Sequence, residues 1–443
     1  MEKILVEKMM MDMKNTKPDS DRMAKITLKD LSPLDSLSLL DRTNLISLRL
    51  KEELDNGLML LREINGPLDR TVMVKDRITG EIAERVMFGS NNYLGLANDP
   101  RVRKRIPEIL DKAGTGLGGP PLLNGRTSLH RELEEKLSRF KGFEETMLFS
   151  SGFLANLGWI TALVRRNDTL IVDELVHASI IDGTRLMRGE CIRFSHNDPN
   201  SLDAALAKVK KEGRANSIVV VEGVYSMDGD IPPLPEIAEI VRKYDGFLVV
   251  DDAHGTGVMG ENGKGILEYF GMEGEVDLLM GTFSKAFASS GGFVSGSRKL
   301  IDMLRYTSRP YIFSASMAPL QIAGILAAFD IMTADKKLRE ALHENRKYLL
   351  EGLGDIGLTT DSPSAIVPLY LGRNIDIRPL SKYFNIKGLY MNAIEYPAVP
   401  FDKQRFRISL MATHKISDID RLVESIEELG SVKENFRARE GTR

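Results

Sequence analysis

The chain has 443 residues, a formal net charge of −3, 42% hydrophobic residues and 28% charged residues. This composition is that of a globular protein of two or three domains, and it excludes a disordered, fibrous or disulfide-framed chain. The near-neutral charge gives no reason to expect a nucleic-acid partner, and the single cysteine, Cys191, excludes an internal disulfide and a cysteine-based metal site. We expect no bound metal.

Residues 1–85 are predicted to form an N-terminal helical arm. Leucines recur at helical spacing between charged residues over 34–61, which predicts an amphipathic helix. The mixed charge of its polar face favours packing on the protein itself or on a partner subunit over contact with a membrane. Met1–Lys17 lacks the apolar core of a signal peptide, and no apolar run reaches the ~18 residues of a membrane-spanning helix. We therefore expect a cytoplasmic protein.

Residues 86–335 are predicted to form a large α/β domain, because short apolar runs alternate there with helical stretches such as Ser128–Phe140. This alternation indicates βαβ units and a parallel sheet covered by helices on both faces. Ligands of such sheets bind beyond the carboxyl ends of the strands. The predicted buried strands are Glu145–Ser150, Thr169–Val172, Ser217–Val221, Gly246–Val250 and Asp277–Met280.

Residues 336–432 are predicted to form a smaller α+β domain. A helix over Lys336–Leu353 leads to strands at Ala365–Leu371 and Arg405–Leu410, and an acidic helix begins near Ser417. The charged residues 433–443 are expected to be a loose tail.

Polar residues follow three of the predicted strands. Lys285 comes just after an apolar strand, and a partly buried lysine tends to have the lowered pKa that Schiff-base chemistry needs. Asp251 and His254 follow a neighbouring strand, and a buried carboxylate there can keep a pyridine nitrogen protonated. Ser151-Gly152 joins a strand to a helix, whose free N–H groups suit a phosphate. Each signal is weak alone, but together they predict a pyridoxal phosphate (PLP) site.

Six further stretches carry a family resemblance over about residues 86–430. With them the chain resembles the α-oxoamine synthases, which include 8-amino-7-oxononanoate synthase, 2-amino-3-ketobutyrate CoA ligase, 5-aminolevulinate synthase and serine palmitoyltransferase. The resemblance implies PLP-dependent fold type I, with a mainly parallel seven-stranded sheet between helices and a smaller C-terminal domain. The stretches are residues 90–96, 130–134, 173–179, 222–229, 309–311 and 405–407.

The resemblance also implies roles for individual residues in binding the cofactor. Lys285 would hold PLP as a Schiff base and then move protons, and His177 would stack on the ring and help to bind the incoming substrate. Asp251 would pair with the ring nitrogen. Two groups complete the expected cofactor site: His254 and Ser226 near the ring hydroxyl, and Gly152, Phe153 and Thr282 at the phosphate.

The remaining implied roles concern the substrate and the partner subunit. Ser314 and Ala315 match a cofactor contact that the family supplies from the other subunit, so a homodimer with shared active sites is expected. Asn91 and Arg407 match the groups that hold the amino-acid carboxylate; of Arg405 and Arg407 we expect only one to serve, and assign Arg407. His130, His196, His343 and His414 are expected to be structural.

The implied reaction is a decarboxylative condensation of a small α-amino acid with an acyl thioester, which gives an α-amino ketone. Two departures leave the substrates open: Gly119-Pro120-Pro121 stands where the family often has Gly-Ser-Arg, and Glu395 stands where bacterial palmitoyltransferases carry an arginine. Serine with a long-chain acyl-CoA, alanine with a pimeloyl thioester and glycine with acetyl-CoA all remain possible. An acyl carrier protein could also be the donor, with the 1–85 arm as its docking element.

Two rival functions are kept. A class II PLP aminotransferase would share the fold and the lysine, but would release a keto acid without CoA or CO2. A non-catalytic subunit of a synthase heterodimer is the other alternative, and the presence of Lys285, His177 and Asp251 argues against it.

Overall fold

The computed structural model describes residues 37–55, 59–76, 80–358, 362–370, 377–395, 398–400 and 403–440. The expectations for Met1–Lys17 and for residues 34–36 and 56–58 of the arm lie outside these ranges. The described residues fall into two compact units. The smaller unit takes in 37–66, 71–89 and 368–408, and the larger one takes in 67–70, 90–367 and 409–440. No helix in these ranges is long and apolar enough to cross a membrane.

A seven-stranded sheet forms the centre of the larger unit, in the order β4-β10-β9-β8-β7-β5-β6. All five predicted strands of this sheet are present, and two were not predicted, namely β6 and β10. Strand β10 is antiparallel to both of its neighbours, whereas β5 to β9 are mutually parallel. The strands are β4 Glu145–Phe149, β5 Asp168–Asp173, β6 Glu190–Phe194, β7 Asn216–Glu222, β8 Phe247–Asp251, β9 Leu278–Thr282 and β10 Gly292–Gly296.

Helices accompany this sheet along the chain, as the alternating pattern predicted. They are α2 Pro100–Ala113, α3 Ser128–Lys141, α4 Gly152–Leu163, α5 Ala178–Leu186, α6 Pro199–Lys211, α7 Leu234–Lys243, α8 Ile266–Phe270, α9 Arg298–Thr307, α10 Arg309–Ile312, α11 Pro319–Ala334 and α12 Lys337–Asp355, with a short 3₁₀ helix at Leu96–Asn98. The core centres on α4, whose Trp159 is fully buried among residues of the sheet and of α5. Burying apolar surface on this scale is the main driving force for the fold.

The smaller unit contains a four-stranded sheet that the sequence analysis did not predict. Its order is β1-β2-β3-β12, from Glu63–Ile64, Thr71–Lys75, Ile82–Met87 and Leu389–Tyr390. The signal was the alternation within β2, where Val72 and Val74 are buried and Met73 is 41% exposed. Because β3 pairs with β12, the strands β1, β2 and β3 form a sheet with the distant residues 389–390 rather than part of a separate helical arm, and this division differs from the predicted one.

Helix α1, Leu39–Asp55, confirms the amphipathic helix that was predicted within 34–61. It buries Leu54, while Leu39 and Leu40 are about 70% exposed, at 71% and 69%. The smaller unit also contains α13, Ile377–Ile386, which precedes the strands β12 and β13.

The C-terminal part of the chain forms a three-stranded sheet in the order β11-β14-β13, from Ile366–Leu369, Arg405–Ser409 and Asn392–Ile394. The predicted strands at 365–371 and 405–410 are therefore present. The last helix, α14, spans Ile416–Glu440 and so extends well into the predicted loose tail.

Candidate active site

A cavity of about 320 Å³ lies at the carboxyl ends of β7, β8 and β9 in the larger unit. Parallel strands bring their final residues to one edge of the sheet, where a ligand site is expected. The predicted residues that line it are Gly152, Phe153, His177, Asp251, His254, Thr282 and Lys285, and they are joined by Ser151, Asn156, Ser179, Glu222, Ala253, Met280, Ser284, Ser290 and Gly291.

Lys285 reaches the cavity from the loop that joins β9 to β10. The loop turns tightly, since the Ala288 N–H donates to the Lys285 carbonyl at 2.9 Å and the Ser289 N–H donates to the Phe283 carbonyl at 2.9 Å. Ala288 has a φ of 51°, a left-handed conformation that side-chain-bearing residues rarely adopt. The turn fixes the backbone of the lysine beside the cavity.

Asp251 is the last residue of β8 and is 4% exposed. Its Oδ2 accepts a hydrogen bond from Asn156 Nδ2 at 2.8 Å, and its Oδ1 accepts one from the Ala253 N–H at 3.1 Å. Asn156 is oriented in turn by Trp159, whose Nε1 donates to Asn156 Oδ1 at 2.9 Å. The carboxylate is therefore held in one orientation at the wall of the cavity.

His177 caps the N-terminus of α5, and its Nδ1 accepts a hydrogen bond from the Ser179 N–H at 3.2 Å. Burial lowers the pKa of His177; Asp251 acts against this shift and the Lys285 cation reinforces it. The imidazole is consequently neutral at pH 7. Its ring lies edge-on to Phe153, with 6.4 Å between the ring centroids.

Glu222 ends β7 and stands opposite Asp251 in the register of β7 with β8. Its carboxyl group accepts the backbone N–H groups of His177 and Ser226, whereas Oε1 has no hydrogen-bond partner among the described residues. Burial, and then the neighbouring Asp251 charge, raise the pKa of Glu222 well above its usual range. The site therefore favours the protonated form of Glu222 more than water does.

The N-terminus of α4 closes one end of the cavity. Ser151 caps the helix by accepting the Leu154 N–H at 3.1 Å, so the N–H groups of the first turn point toward the cavity wall. A Cβ on Gly152 would come within 3.0 Å of Thr282 Oγ1, and a Cβ on Gly292 would come within 2.6 Å of the Gly152 Cα. Glycine thus allows β10, β9 and the helix to meet closely enough to form an anion site.

His254 connects the cavity to Asn91. The Tyr93 hydroxyl lies 2.7 Å from His254 Nδ1 and 3.3 Å from Asn91 Oδ1, and the Ser409 hydroxyl donates to the same oxygen at 3.3 Å. These hydrogen bonds orient His254 from the side away from the cavity and fix the side chain of Asn91.

Known proteins resemble this chain over most of its length. The family model for aminotransferase class I and II matches residues 83–426. A serine palmitoyltransferase from Sphingobacterium spiritivorum is 43% identical over 82% of this chain and 90% of its own length. An 8-amino-7-oxononanoate synthase from Thermoanaerobacter pseudethanolicus is 40% identical over 78% of this chain and 88% of its own. The chain belongs to the α-oxoamine synthases of the aminotransferase class I and II family.

Solved structures of α-oxoamine synthases share the fold. A serine palmitoyltransferase from S. paucimobilis, bound to a PLP–myriocin aldimine, has a TM-score of 0.83 and 32% identity over 89% of this chain and 99% of its own. The enzyme from Sphingomonas wittichii gives the same TM-score and coverage at 33% identity. The predicted fold type I is thereby confirmed.

Five predicted site residues of this synthase do not line the cavity. Ser226 reaches Glu222 through its backbone, and Asn91 lies behind His254. Ser314 and Ala315 line a second, smaller recess beside Tyr311.

The fifth of these residues, Arg407, belongs to the smaller unit, where it is buried and pairs with Asn392 between β14 and β13. Arg405 and Arg407 are two residues apart on one strand, so they lie on the same face and alternation does not choose between them. Arg405 is engaged elsewhere: its Nε donates to the Lys403 carbonyl at 2.9 Å and its guanidinium lies 4.6 Å from the centroid of the Tyr370 ring. The assignment of the substrate carboxylate to Arg407 stays a prediction.

Asn156 and Glu222 are two buried polar site residues that the sequence analysis missed. Each had a signal: Glu222 is a charged residue at the end of an apolar strand, as Asp251 is, and Asn156 is the lone amide within the apolar α4. A polar residue in an apolar helix or at the end of a buried strand needs a partner, and both find one at this site.

Proposed function

We propose that this enzyme condenses serine, alanine or glycine with an acyl thioester, releasing CO2, an α-amino ketone and free CoA or carrier protein. The observation that carries the proposal is that Lys285, Asp251 and His177 line one cavity of about 320 Å³. The similarity to serine palmitoyltransferase and 8-amino-7-oxononanoate synthase supports this reaction over amino transfer. Serine is the first amino acid to test, since the relative at 43% identity is named a serine palmitoyltransferase.

Pyridoxal phosphate is the cofactor, and the cavity fits it. It offers an amine, a buried carboxylate and a helix N-terminus, which match the aldehyde, the ring nitrogen and the phosphate of PLP. The volume of about 320 Å³ lies within the usual range for small-molecule sites. When bound, PLP supplies an electron sink for the electrons that remain after the amino acid loses its Cα proton.

We assign the work of holding the cofactor to residues of this chain. Lys285 Nζ would hold the aldehyde carbon as a Schiff base, with the aldehyde oxygen lost as water, and would afterwards take up and return a proton. Asp251, oriented by Asn156, holds the proton of the ring nitrogen. The N–H groups at Gly152 and Phe153, with the Thr282 hydroxyl, bind the phosphate.

The neutral His177 is assigned to orient the thioester. An uncharged imidazole can stack on an aromatic ring and donate one hydrogen bond from Nε2, because Nδ1 already accepts from Ser179. Holding the two substrates against one face of the cofactor supplies proximity and orientation, which can account for a large part of a rate enhancement. Asn91 and Arg407 are assigned to the amino-acid carboxylate.

Glu395 argues for a broad initial substrate panel. Its carboxylate accepts a hydrogen bond from Arg378 Nε at 3.1 Å within the smaller unit. A carboxylate paired in this way does not bind a second carboxylate, so Glu395 does not take the role of the arginine found at this position in bacterial palmitoyltransferases. Both CoA and a carrier protein are kept as acyl donors.

A homodimer with shared sites is part of the proposal. Ser314 and Ala315 face a recess of their own chain that is separate from the Lys285 cavity, which suits residues that serve the partner's cofactor. The neighbouring Phe313 is 71% exposed and Leu123 is 79% exposed, as surfaces covered in a dimer would be. Mixing a Lys285→Ala chain with a Ser314→Ala, Ala315→Asp chain tests this: restored activity supports sharing, and none contradicts it.

The test of the reaction is a substrate panel on the purified holoenzyme. Serine, alanine and glycine are offered with short and long acyl-CoA, and free thiol, CO2 and the visible absorbance of the cofactor are followed. We expect one amino acid to change the absorbance and thiol and CO2 to appear in equal amounts. Lys285→Ala should abolish both products, and Lys299→Ala, an exposed lysine on α9, should not. Release of a keto acid without thioester would identify an aminotransferase instead.

The docking role of the arm needs a shorter deletion than one of residues 1–85. Residues 63–87 contain three strands of the small sheet, so their removal would disrupt the smaller unit. Deletion of 1–58 spares these strands. If the deletion raises the KM for an acyl carrier protein and leaves the KM for acyl-CoA unchanged, docking is supported. If the deletion changes the two KM values by the same factor, or changes neither, docking is contradicted.

A further inference from the structure

His196 lies in the turn after β6 and outside the catalytic cavity. Its Nδ1 is 2.9 Å from Asp173 Oδ1, and its Nε2 is 2.7 Å from Asp230 Oδ2. Both acceptors are carboxylates, so both ring nitrogens donate and the ring is an imidazolium. The side chain of Asp173 is fully buried and that of His196 is 20% exposed, so the bond between these two is largely shielded from water, whereas the side chain of Asp230 is 36% exposed.

Asp173 connects His196 to the segment that carries His177. It is the last residue of β5, and its carboxylate also accepts the Leu175 N–H and the Asn197 N–H, each at 2.9 Å. The His196 N–H donates to Glu174 Oε1 at 3.2 Å. Residues 173–176, which lead directly to His177, are therefore bonded to the turn around His196 at three points.

Asp230 connects the same ring to the loop that carries Ser226. The Tyr225 N–H donates to the Asp230 carbonyl at 2.9 Å, which closes the loop 225–230, and Asn197 Nδ2 donates to Asp230 Oδ2 at 2.9 Å. The His196 ring packs edge-on against Tyr225, with 4.5 Å between the centroids. One side chain thus bonds two loops that follow different strands.

We propose that His196 is a positioning residue, which fixes the segment carrying His177 relative to the loop carrying Ser226 through Asp173 and Asp230. The two loops converge again at Glu222, whose carboxyl accepts the N–H groups of both His177 and Ser226. The inference rests on the proposed function only for the roles of His177 and Ser226. The sequence analysis expected His196 to be merely structural.

The His196 imidazole, between Asp173 and Asp230, remains charged at neutral pH. Burial opposes the charge, but the hydrogen bonds to Asp173 and Asp230 outweigh burial and raise the pKa of His196 to about 10. The other titratable groups that face it are Glu174, which accepts its backbone N–H, and Tyr225, whose own pKa burial raises well above the usual value. A histidine whose pKa is raised on folding stabilises the fold below its unfolded pKa, and this stabilisation is lost as the pH rises toward 10.

The test compares His196→Ala with His343→Ala by hydrogen exchange of the apoenzyme. His343 is the matched control: its Nε2 donates to the Val258 carbonyl at 3.0 Å, remote from both loops in sequence. We expect exchange in peptides covering 174–177 and 225–230 to speed up about tenfold in His196→Ala, with β9 and β10 unchanged. His343→Ala should leave both loops protected.

A kinetic arm and a second variant complete the test. In the holoenzyme, kcat of His196→Ala should fall roughly 10- to 100-fold, because the group that orients the second substrate is displaced, while KM for the amino acid stays within about threefold. Asp230→Asn keeps the shape but removes one carboxylate, so protection of the two loops should equal wild type at pH 6 and decline by pH 9. The proposal would be overturned if protection of the two loops in Asp230→Asn did not change with pH. It would also be overturned if the loops were as protected in His196→Ala as in His343→Ala, even with the condensation reaction confirmed.

Discussion

Asn156 donates a hydrogen bond from Nδ2 to Asp251 Oδ2 over 2.8 Å, and this bond joins the first turns of α4 to the end of β8. The same Nδ2 donates to Ser179 Oγ at 2.9 Å. Since the Trp159 indole can only donate, Asn156 must turn its oxygen toward Trp159 and its nitrogen toward Asp251. One buried amide thus orients the Asp251 carboxylate and, through Ser179, the start of α5, the helix that His177 caps.

Asn156→Ala is expected to weaken PLP binding roughly 10- to 150-fold, because loss of one buried donor to a carboxylate costs roughly 1.5–3 kcal/mol. Titration of the apoenzyme with PLP measures this. Asn345→Ala is the control: Asn345 is also buried, and its Nδ2 donates to the carbonyls of Met411 and His414 at 3.0 and 3.1 Å. It should lower Tm without changing the Kd of PLP. Equal effects of the two variants on Kd would show that Asn156 acts only through stability.

Glu222→Gln is expected to be tolerated at neutral pH. Burial and then the Asp251 charge raise the pKa of Glu222 well above 4.5, which favours the neutral acid, and glutamine matches the shape of that form. A raised pKa gives stability that is complete below the unfolded value and is lost as the pH rises toward the folded value. Relative to wild type, Glu222→Gln should therefore gain in Tm from pH 5 to pH 8.

Two outcomes bear on this assignment of Glu222. Glu222→Ala removes the acceptor of the His177 and Ser226 N–H groups and should lower Tm at every pH. A Tm difference between Glu222→Gln and wild type that does not change with pH would mean that the folded and unfolded pKa values of Glu222 are alike.

Much of the larger unit could be predicted from sequence because its strands are buried on both faces. Continuous apolar runs such as Ser217–Val221 stand out in any pattern analysis, and β7 lies within one residue of that run. Strand β10 was missed because Gly292, Ser295 and Gly296 are poor strand formers, and it is fixed by pairing with β4 and β9 instead. The small sheet was missed because its pairing of 86–87 with 389–390 joins residues some 300 positions apart.

Gly292→Ala is expected to reduce both stability and PLP affinity. Its Cβ would lie 2.6 Å from the Gly152 Cα, a backbone atom, so the start of α4 must move, at about 1–3 kcal/mol. Gly152→Ala should cost less, because its nearest contact is Thr282 Oγ1 at 3.0 Å. Gly354→Ala, an exposed helical position with nothing within 4 Å, should be neutral or slightly stabilising. Chemical denaturation and PLP titration of the three variants rank them.

Lys141→Met is expected to destabilise the fold by about 3–5 kcal/mol, since it leaves the Asp252 charge buried without its partner. Lys141 Nζ lies 2.9 Å from Asp252 Oδ2 and 2.7 Å from Thr256 Oγ1, and both side chains of the ion pair are 1% exposed. Urea denaturation measures the loss. Lys243→Met, which breaks the exposed pair with Asp203, serves as the comparison and should change little. Similar losses of unfolding free energy in both variants would show that burial does not decide how much an ion pair contributes to stability.

The candidate site, like the fold, contains some residues that could be predicted from the sequence and others that could not. Lys285, Asp251 and Gly152 could be predicted because each lies at the end of an apolar strand or within three residues of it. Asn156, Glu222 and His196 could not, since their importance lies in partners that the chain brings from elsewhere: Asn156 bonds Asp251, and His196 bonds Asp230, 34 residues away. A sequence pattern names the group that reacts more readily than the groups that hold it.

The position of β10 also bears on how the chain folds during synthesis. Strand β4, which directly precedes α4, has β10 as its single neighbour in the described sheet, and the two are separated by about 140 residues. While the ribosome is still making residues 150–291, β4 therefore has no strand with which to pair, and the apolar α4 has no complete sheet to cover. Such long-range pairing slows folding and exposes aggregation-prone surface. Nascent chains that stop before Gly296 should consequently be frequent clients of chaperones, and a ribosome-stalling series across residues 280–310 should show protease resistance of α4 arising abruptly.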